Sequence, residues 1–321
     1  MMENILVTGV SGEVGYGLVK KLTETGKYNV VALDIKDPEI EASKNINKFY
    51  KGNILDIESL KNIFETENID SVIHLASILS TGGEKNPELA ADINVTGTLN
   101  LFKLATEYSL KNKKSIKFIF PSSIAADGNP ITIYGISKQS CENIGTYFSK
   151  DYKALDTTID RNNLIDFRCV RFPGLLSPDT LPSGGTSDYG PEMLHSAAQG
   201  KEYECFVRPD TTIPFMAMDD AVEILYKLLT APKENLSQNV YEVSGFSVSA
   251  KEIEDEVKLA FPDAKVSYKI NEVRQKIVDS WPKEVGSEKA IADWGYDLKY
   301  DFKSTFTNYL IPKIKERYSK I

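Results

Sequence analysis

The sequence has 321 residues, of which 41% are hydrophobic and 26% charged, so it can bury a sizeable core and does not have a disordered composition. Its net charge of −8 argues against nucleic acid or an anionic membrane as a partner, because proteins that bind either one usually carry a surplus of Lys and Arg. No apolar run reaches the ~18 residues of a membrane span, and the scattered cysteines and histidines have no metal-ligand spacing. The start, MMENILVTG, enters a strand without a signal-peptide pattern. We therefore expect a soluble, cytoplasmic protein without a metal site.

Short apolar runs alternate with amphipathic helical stretches through the first half of the chain. Four runs rich in Val and Ile are typical of buried parallel strands: NILVTG (4–9), NVVALD (29–34), SVIHLAS (71–77) and IKFIFPSS (116–123). The stretches between and after them predict helices at about 13–25, 57–66, 88–110 and 134–149. This alternation predicts an α/β fold with a doubly wound parallel sheet of the Rossmann type.

The second half of the chain is expected to complete the sheet and to add a smaller substrate-binding cap. The segment 178–192 is dense in Pro, Gly and Ser and is expected to leave the sheet, whereas NVYEVSG (239–245) is typical of a strand that returns to it. We therefore predict a Rossmann domain at 1–174, completed by about 213–245. The cap would consist of residues 175–212 and 246–321.

The first strand runs directly into TGVSGEVG (8–15), whose glycines have the spacing GxxGxxG. Glycines at these positions permit a tight turn and let the backbone approach a pyrophosphate at the N-terminus of the following helix. The loop therefore predicts a dinucleotide site, and a glycine-rich turn without a ligand is the alternative. The cofactor-binding candidates in this loop are Gly9, Gly12, Glu13, Val14 and Gly15.

Asp34 ends the second strand 19 residues after Gly15, where an acid would bind the hydroxyls of the adenosine ribose. Its carboxylate would repel a 2′-phosphate, which favours NAD over NADP, although Lys36 lies nearby in the sequence. Asp56 and Ile57, which lie between NVVALD and SVIHLAS, are candidates for the adenine site. A helix N-cap is the alternative role for Asp56, and both roles can hold together.

The strand IKFIFPSS ends in Ser122 and Ser123 at the carboxyl edge of the sheet, where open α/β folds bind their ligands. Downstream, ITIYGISKQ (131–139) puts Tyr134 four residues before Lys138, so that both side chains share one helix face. A free phenol has a pKa near 10 and is a poor base at neutral pH. We expect the Lys138 ammonium and a positive nicotinamide ring to lower the pKa of Tyr134, which then accepts a proton from a substrate alcohol. Without the nucleotide motif, the same pair would be ordinary on a solvated helix.

These motifs together resemble the extended short-chain dehydrogenase/reductase superfamily, which includes nucleotide-sugar epimerases and dehydratases. The resemblance covers nearly the whole chain and is also carried by HLAS (74–77), NVTGT (94–98) and RFPG (171–174). It implies that the catalytic residues are Ser123, Tyr134 and Lys138. It implies further cofactor contacts from Leu75, Ala76, Asn94, Tyr134, Lys138 and Pro173. His74 is interpreted as a structural strand residue, and His195 as a residue of a helix surface.

The second half of the chain narrows the resemblance. Nucleotide-sugar enzymes of the superfamily generally carry an arginine for the diphosphate in the region where this chain has TTIPFMAMDD (211–220). Instead, GGTSDYGPEMLHSA (184–197), SWP (280–282) and DWGYDL (293–298) resemble the short-chain type of L-threonine 3-dehydrogenase. That resemblance implies NAD-dependent oxidation of the L-threonine β-hydroxyl to 2-amino-3-oxobutyrate, with Tyr134 as general base and without a metal.

A small zwitterionic substrate suits the polar residues of the expected pocket. The substrate-binding candidates are Ser80, Ser122, Ser123, Tyr134, Gly184, Gly185, Thr186 and Trp281. The two glycines and Thr186 can offer N–H groups and a hydroxyl to a carboxylate, and Trp281 would cover the substrate methyl group. An ordinary core aromatic is the alternative for Trp281, and an N-cap is the alternative to an ammonium contact for Asp188.

Two other functions stay open from the sequence. A nucleotide-sugar 4-epimerase or dehydratase would need a basic clamp in the cap, and a non-catalytic NAD-binding regulator typically lacks the tyrosine or the lysine. The resemblance further implies a homodimer, or a tetramer, packed through the helices around 88–110 and 134–149.

Overall fold

A parallel sheet of seven strands forms the centre of the molecule in the computed structural model, which describes residues 2–182 and 184–319. Strands from the later part of the chain form two smaller sheets. The strands are β1 (Glu3–Thr8), β2 (Tyr28–Asp34), β3 (Lys48–Lys51), β4 (Ser71–His74), β5 (Lys117–Ser123), β6 (Asp166–Phe172), β7 (Gly174–Leu176), β8 (Tyr203–Cys205), β9 (Thr212–Ala217), β10 (Val240–Glu242), β11 (Phe246–Ser249) and β12 (Val266–Tyr268).

The central sheet has the order β10-β6-β5-β4-β1-β2-β3, and every neighbouring pair is parallel. After β3 the chain crosses to the other half of the sheet, where β4 pairs with β1, so the switch point lies between β1 and β4. In doubly wound sheets this switch point leaves a crevice at the carboxyl ends of the strands, where ligands bind. The expected α/β fold with a doubly wound parallel sheet is confirmed.

Both faces of the central sheet are buried. Val7 and Ile73 belong to a hydrophobic cluster on one face, and their neighbours Leu6 and Val72 belong to a second cluster on the other. Successive side chains of a strand point to opposite faces, so a strand covered on both faces is apolar throughout. This explains why the strands read as continuous apolar runs in the sequence.

Helices cover both faces of the sheet and form much of the later part of the chain. They are α1 (Glu13–Glu24), α2 (Ile40–Ser43), α3 (Ile57–Glu67), α4 (Ser80–Lys85), α5 (Pro87–Ala91), α6 (Thr98–Asn112), α7 (Ile133–Lys150), α8 (Tyr189–Ala198), α9 (Met218–Thr230), α10 (Ala250–Ala260), α11 (Glu272–Asp279), α12 (Glu288–Asp293), α13 (Phe302–Ser304) and α14 (Ile311–Tyr318). A π-helical turn, Asp92–Gly97, joins α5 to α6. Among the described residues, no helix combines the length and the apolar character needed to cross a bilayer.

The later strands connect the Rossmann domain and the cap that the sequence predicts as separate parts. The strand β10 joins the central sheet beside β6, as NVYEVSG indicates. Of the strands that follow, β11 pairs antiparallel with β9, which also pairs with β7, and β12 pairs with β8. Because β9 and β11 lie on opposite sides of the boundary expected near residue 245, one small sheet spans that boundary. The division into a Rossmann domain and a cap stays a prediction.

Candidate active site

The glycine loop after β1 packs directly against the segment that follows β4. Gly9 has a φ of +71°, and a Cβ added there would overlap the backbone of Leu75 and Ala76. A Cβ at Gly15 would overlap the backbone of Val10. Both positions therefore require glycine, for close packing and, at Gly9, also for the left-handed backbone. The fold thus brings four of the predicted cofactor residues together at the switch point of the sheet.

The N-terminus of α1 opens from this loop and has no side chain to cap it. Gly12 is the N-cap residue, and Glu13 and Val14 lie in the first turn. The first backbone N–H groups of a helix have no partner within the helix and carry a partial positive charge. An uncapped N-terminus beside a backbone cradle fits the pyrophosphate of a dinucleotide, which would lie against Gly12, Glu13 and Val14.

Asp34 at the end of β2 lies against the glycine loop. Its Oδ2 atom accepts a hydrogen bond of 2.9 Å from the Ser11 N–H, and its Oδ1 atom accepts one of 2.9 Å from the Lys36 N–H. These two bonds fix the carboxylate at the edge of the crevice, where an acid can accept bonds from ribose hydroxyls.

Asp56 has the helix-capping role that the sequence left open. Its side chain accepts a hydrogen bond of 3.0 Å from the Ser59 N–H and caps α3, whose first residue is Ile57. Ile57 packs against the hydrophobic cluster on one face of the sheet. Their contact with an adenine ring stays a prediction.

The predicted catalytic residues meet at the carboxyl end of β5. Ser123 is the last residue of β5, and its hydroxyl lies close enough to the Tyr134 phenol, in the first turn of α7, to lower the pKa of that phenol. Lys138 donates a hydrogen bond of 2.8 Å to the Pro121 carbonyl, and its Nζ atom lies 5.8 Å from the centre of the Tyr134 ring. Gly135 lets α7 start against the turn after β5, because a Cβ there would overlap the Ala125 carbonyl.

Burial shifts the pKa of two residues in this group. Burial raises the pKa of Tyr134 to about 12, and the nearby Ser123 hydroxyl opposes that rise only in part. Burial lowers the pKa of Lys138 to about 8, against the charges of Cys141, Cys169 and Glu142. In the chain by itself, desolvation of the phenolate dominates. The lowering of the Tyr134 pKa by Lys138 together with a positive nicotinamide ring stays a prediction.

Ser122 faces a buried ion pair. Its hydroxyl donates a hydrogen bond of 2.6 Å to Glu142, and the Glu142 carboxylate accepts bonds of 2.9 and 2.7 Å from Arg171. Adjacent side chains of a strand point to opposite faces of the sheet, so the side chains of Ser122 and Ser123 do not point in the same direction. A substrate contact by Ser122 stays a prediction, while its observed partner lies on α7, one turn after Lys138.

Asn94 ties the crevice to the catalytic helix. Its side-chain amide exchanges two hydrogen bonds with the backbone of Ile78, of 2.7 and 2.9 Å, and donates another of 3.2 Å to Ser137. The π-helical turn that carries Asn94 is a local distortion of the kind often found at functional sites. Asn94 therefore fixes the segment that begins with Leu75 and Ala76.

The predicted substrate residues also come together across a long stretch of sequence. The hydroxyls of Ser80 and Thr186 are both buried and lie 3.0 Å apart. Gly184 has a φ of +85°, and the Gly185 N–H donates a hydrogen bond of 2.6 Å to the Asp188 carboxylate. Asp188 is the N-cap residue of α8, but its side chain bonds this loop and makes no capping bond to the helix.

Pro173 and Trp281 complete the predicted set. Pro173 is buried between β6 and β7. Trp281 is half-buried just after α11 and packs against a large hydrophobic cluster, which is the core role that the sequence left open. Contacts of Pro173 with a nicotinamide and of Trp281 with a substrate methyl group stay predictions.

Comparisons with known proteins give the family of this chain. The model of the NAD dependent epimerase/dehydratase family matches residues 5–244. The chain belongs to this family. A mitochondrial L-threonine 3-dehydrogenase of Bos taurus is 33% identical, over 96% of this chain and 82% of that protein.

Solved structures agree with this membership. A monomeric L-threonine 3-dehydrogenase from a metagenome database, in its apo form, is 36% identical with a TM-score of 0.86, over 98% of this chain and 99% of that one. The L-threonine dehydrogenase of Clostridium difficile is 32% identical with a TM-score of 0.87, over 99% of both chains. The resemblance stated from the sequence is confirmed, and a nicotinamide nucleotide is the cofactor class that this family implies.

Within this family fold, the two histidines are structural. The His74 ring lies between the hydroxyls of Thr8 and Thr98, at 2.6 and 2.8 Å, and burial lowers the pKa of His74 to about 3. His195 was expected on a helix surface, and this is wrong. It is buried, and its Nδ1 atom lies 2.9 Å from the Tyr318 hydroxyl, because α14 covers that face of α8.

Sequence reasoning missed the charged residues behind the site. Glu142 follows Lys138 by four residues and shares its helix face, which was a usable signal. Arg171 is the first residue of the RFPG motif, but the motif does not predict which acidic residue pairs with it. Arg274 lies far along the sequence and contacts the loop at Gly184 and Gly185.

Proposed function

We propose that this protein is an NAD-dependent L-threonine 3-dehydrogenase, which oxidises the β-hydroxyl of L-threonine and yields 2-amino-3-oxobutyrate. The observation that carries the proposal is the grouping of Ser123, Tyr134 and Lys138 at the carboxyl end of β5, the same sheet edge as the glycine loop. The L-threonine 3-dehydrogenases among the relatives support the choice of substrate within the family.

Tyr134 accepts the proton of the substrate hydroxyl in this proposal. Ser123 holds the substrate oxygen next to the phenol, and the Lys138 ammonium favours the ionised form of Tyr134. A bound oxidised nicotinamide dinucleotide would supply the acceptor for the electron pair of the substrate C–H bond and a positive charge beside the phenol. Because burial raises the pKa of Tyr134 to about 12 in the chain alone, we expect oxidation to accelerate with rising pH above neutrality.

The polar loop beside this group suits a small zwitterion. Ser80 and Thr186 offer buried hydroxyls, and the open space around Gly184 leaves room for a carboxylate, while the Gly185 N–H is bonded to Asp188. Trp281 would cover the substrate methyl group. No metal takes part, since Tyr134 accepts the proton.

The direct test is to mix purified protein with NAD and L-threonine and to follow NADH by its absorbance. Threonine-dependent formation of NADH supports the proposal. Turnover of a UDP-sugar without a response to threonine would favour the epimerase or dehydratase reading, and NAD binding without any turnover would favour a regulator.

NAD, and not NADP, is the proposed cofactor. Asp34 is fixed at the crevice by Ser11 and Lys36, and its carboxylate would repel a 2′-phosphate. Comparable rates with NAD and NADP would contradict this role of Asp34. We also propose a homodimer, or a tetramer, packed through α5, α6 and α7.

A further inference from the structure

The backbone carbonyls of Gly184 and Gly185 are held from two sides. The Thr81 hydroxyl, on α4, donates a hydrogen bond of 2.6 Å to the Gly184 carbonyl. Arg274, on α11, donates from a single Nη2 atom to both carbonyls, at 3.2 Å to Gly184 and 2.6 Å to Gly185. The loop is therefore bonded both to the helix that follows β4 and to a helix almost 90 residues further along the chain.

The guanidinium of Arg274 is itself fixed. Its Cζ atom lies 3.4 Å from the centre of the Phe206 ring, and Phe206 is buried. A guanidinium stacked on an aromatic face gains cation–π attraction and keeps a defined plane. The positive charge of Arg274 also acts on the Glu192 carboxyl, whose pKa it lowers against the effect of burial. Arg274 is therefore a rigid donor and not a mobile surface charge.

The same loop carries a predicted substrate residue. Thr186 follows Gly185 directly, and its hydroxyl lies 3.0 Å from that of Ser80. Gly184 has a φ of +85°, which residues with a Cβ rarely adopt. Glycine adopts such a φ without strain but loses much conformational freedom when it is ordered, so bonds from outside the loop help to hold one conformation. Arg274 supplies two of them.

We propose that Arg274 is a positioning residue for the substrate pocket and acts through the Gly184 and Gly185 carbonyls to fix Thr186 against Ser80. This inference rests on the proposed oxidation of L-threonine, and it adds a residue that governs recognition of that substrate. Arg274 has no contact with Tyr134 or Ser123, so its removal weakens substrate binding and leaves the chemical step and the dinucleotide site intact.

The kinetic test compares Arg274→Met with Arg208→Met. Arg208 is a matched control, because it pairs with Asp279 on the same helix α11 and makes no bond to the loop. For Arg274→Met we expect the KM for L-threonine to rise about tenfold to 100-fold, as for the loss of hydrogen bonds from a charged donor. The kcat value and the KM for NAD should stay near those of the native protein, and Arg208→Met should change none of the three.

Two further variants protect the test against a failure of folding. Arg274→Lys keeps the charge but loses the planar fork, so we expect an intermediate KM for L-threonine. Thr81→Val removes the bond to Gly184 from the opposite side and should also raise that KM. A parallel rise of both KM values with a lower Tm would mark Arg274 as a general structural residue and overturn the proposal.

Hydrogen exchange followed by mass spectrometry tests the positioning without any substrate. The amides of residues 184–186 should exchange faster in Arg274→Met than in Arg208→Met, while those of β1 stay unchanged. Equal exchange in the two variants would overturn the inference. If the native protein does not oxidise L-threonine, the proposed function fails, and the exchange rates still decide whether Arg274 fixes the loop.

Discussion

Glu13 lies in the first turn of α1, close enough to the Asp188 carboxylate for the two acids to interact. Burial, reinforced by Asp188, raises the pKa of Glu13 to about 7. The folded protein therefore binds this proton up to neutral pH, whereas the unfolded chain loses it near pH 4.5. Stability from this group is full below the lower value and is lost as the pH rises through the higher one.

This titration predicts a pH-dependent affinity for NAD. Below pH 7 Glu13 is neutral, and above pH 7 its charge opposes a pyrophosphate at the same helix terminus. We expect Glu13→Gln to bind NAD about twofold to fivefold more tightly than the native protein at pH 8, and equally at pH 6.

Calorimetric titration with NAD at the two pH values measures this difference. Glu24→Gln, at the exposed far end of α1, is the control and should bind NAD as the native protein does. An affinity of Glu13→Gln that equals the native value at both pH values would mean that no anion binds at this terminus.

At the residue scale, the sequence was sufficient to predict site residues where a short motif has a local physical cause. Gly9 and Gly15 are required by close backbone packing, and Tyr134 and Lys138 share a face through helical geometry. The hydrogen-bond partner of Ser122 could not be predicted from the sequence, since the direction of a side chain at a strand end depends on the neighbouring elements.

At the scale of elements, Glu142 and Arg171 join α7 to β6 behind the catalytic residues. Arg171 also bonds Asp127 at 2.9 Å and Glu242 at 3.3 Å, so four separate segments meet at one guanidinium. Glu142 is almost fully buried, and Ser122 and Arg171 are its hydrogen-bond partners. Removal of one member of a buried pair leaves an uncompensated charge.

Arg171→Met should therefore lower the free energy of unfolding by about 3–5 kcal/mol. The double variant Arg171→Met with Glu142→Met should recover much of that loss, because two apolar side chains replace the pair. Urea denaturation at pH 7 measures both, and Lys20→Met, from an exposed pair with Glu24, is the control. A loss below about 1 kcal/mol in the single variant would indicate that water reaches the pair.

The long helices of the first half and four of its strands were predictable, because both faces of their sheet are buried and their glycine turns are local. The short elements β3, α2 and α4 were not among the predicted runs. The small sheets were not, since β8, β11 and β12 are only three or four residues long and are held by tertiary pairing. The π-helical turn Asp92–Gly97 was read as continuous helix, because its extra residue leaves no mark in the apolar periodicity.

At the scale of the whole molecule, large apolar side chains stand exposed on the helices expected to form the dimer. They are Leu89 on α5, Leu99 on α6, and Ile136 and Tyr147 on α7. Exposed apolar side chains grouped on neighbouring helices are typical of an interface between subunits. Homodimerisation through this face stays a prediction.

Analytical ultracentrifugation of the full chain tests the dimer. Leu99→Glu should weaken association about 100-fold or more, because a twofold interface contains the buried charge twice. Leu259→Glu is the control, since Leu259 is more exposed than Leu99 and lies on α10, away from these helices. A native protein that sediments as a monomer at micromolar concentration would contradict the prediction.

The central claim is that the Tyr134 phenol accepts the proton of the substrate alcohol. Its most direct test is the rate of L-threonine oxidation by Tyr134→Phe, with NAD affinity measured in parallel and Tyr147→Phe, on the same helix, as the control. We expect the kcat of Tyr134→Phe to fall about 100-fold to 10,000-fold with NAD affinity retained. Oxidation at the native rate by Tyr134→Phe would contradict the claim.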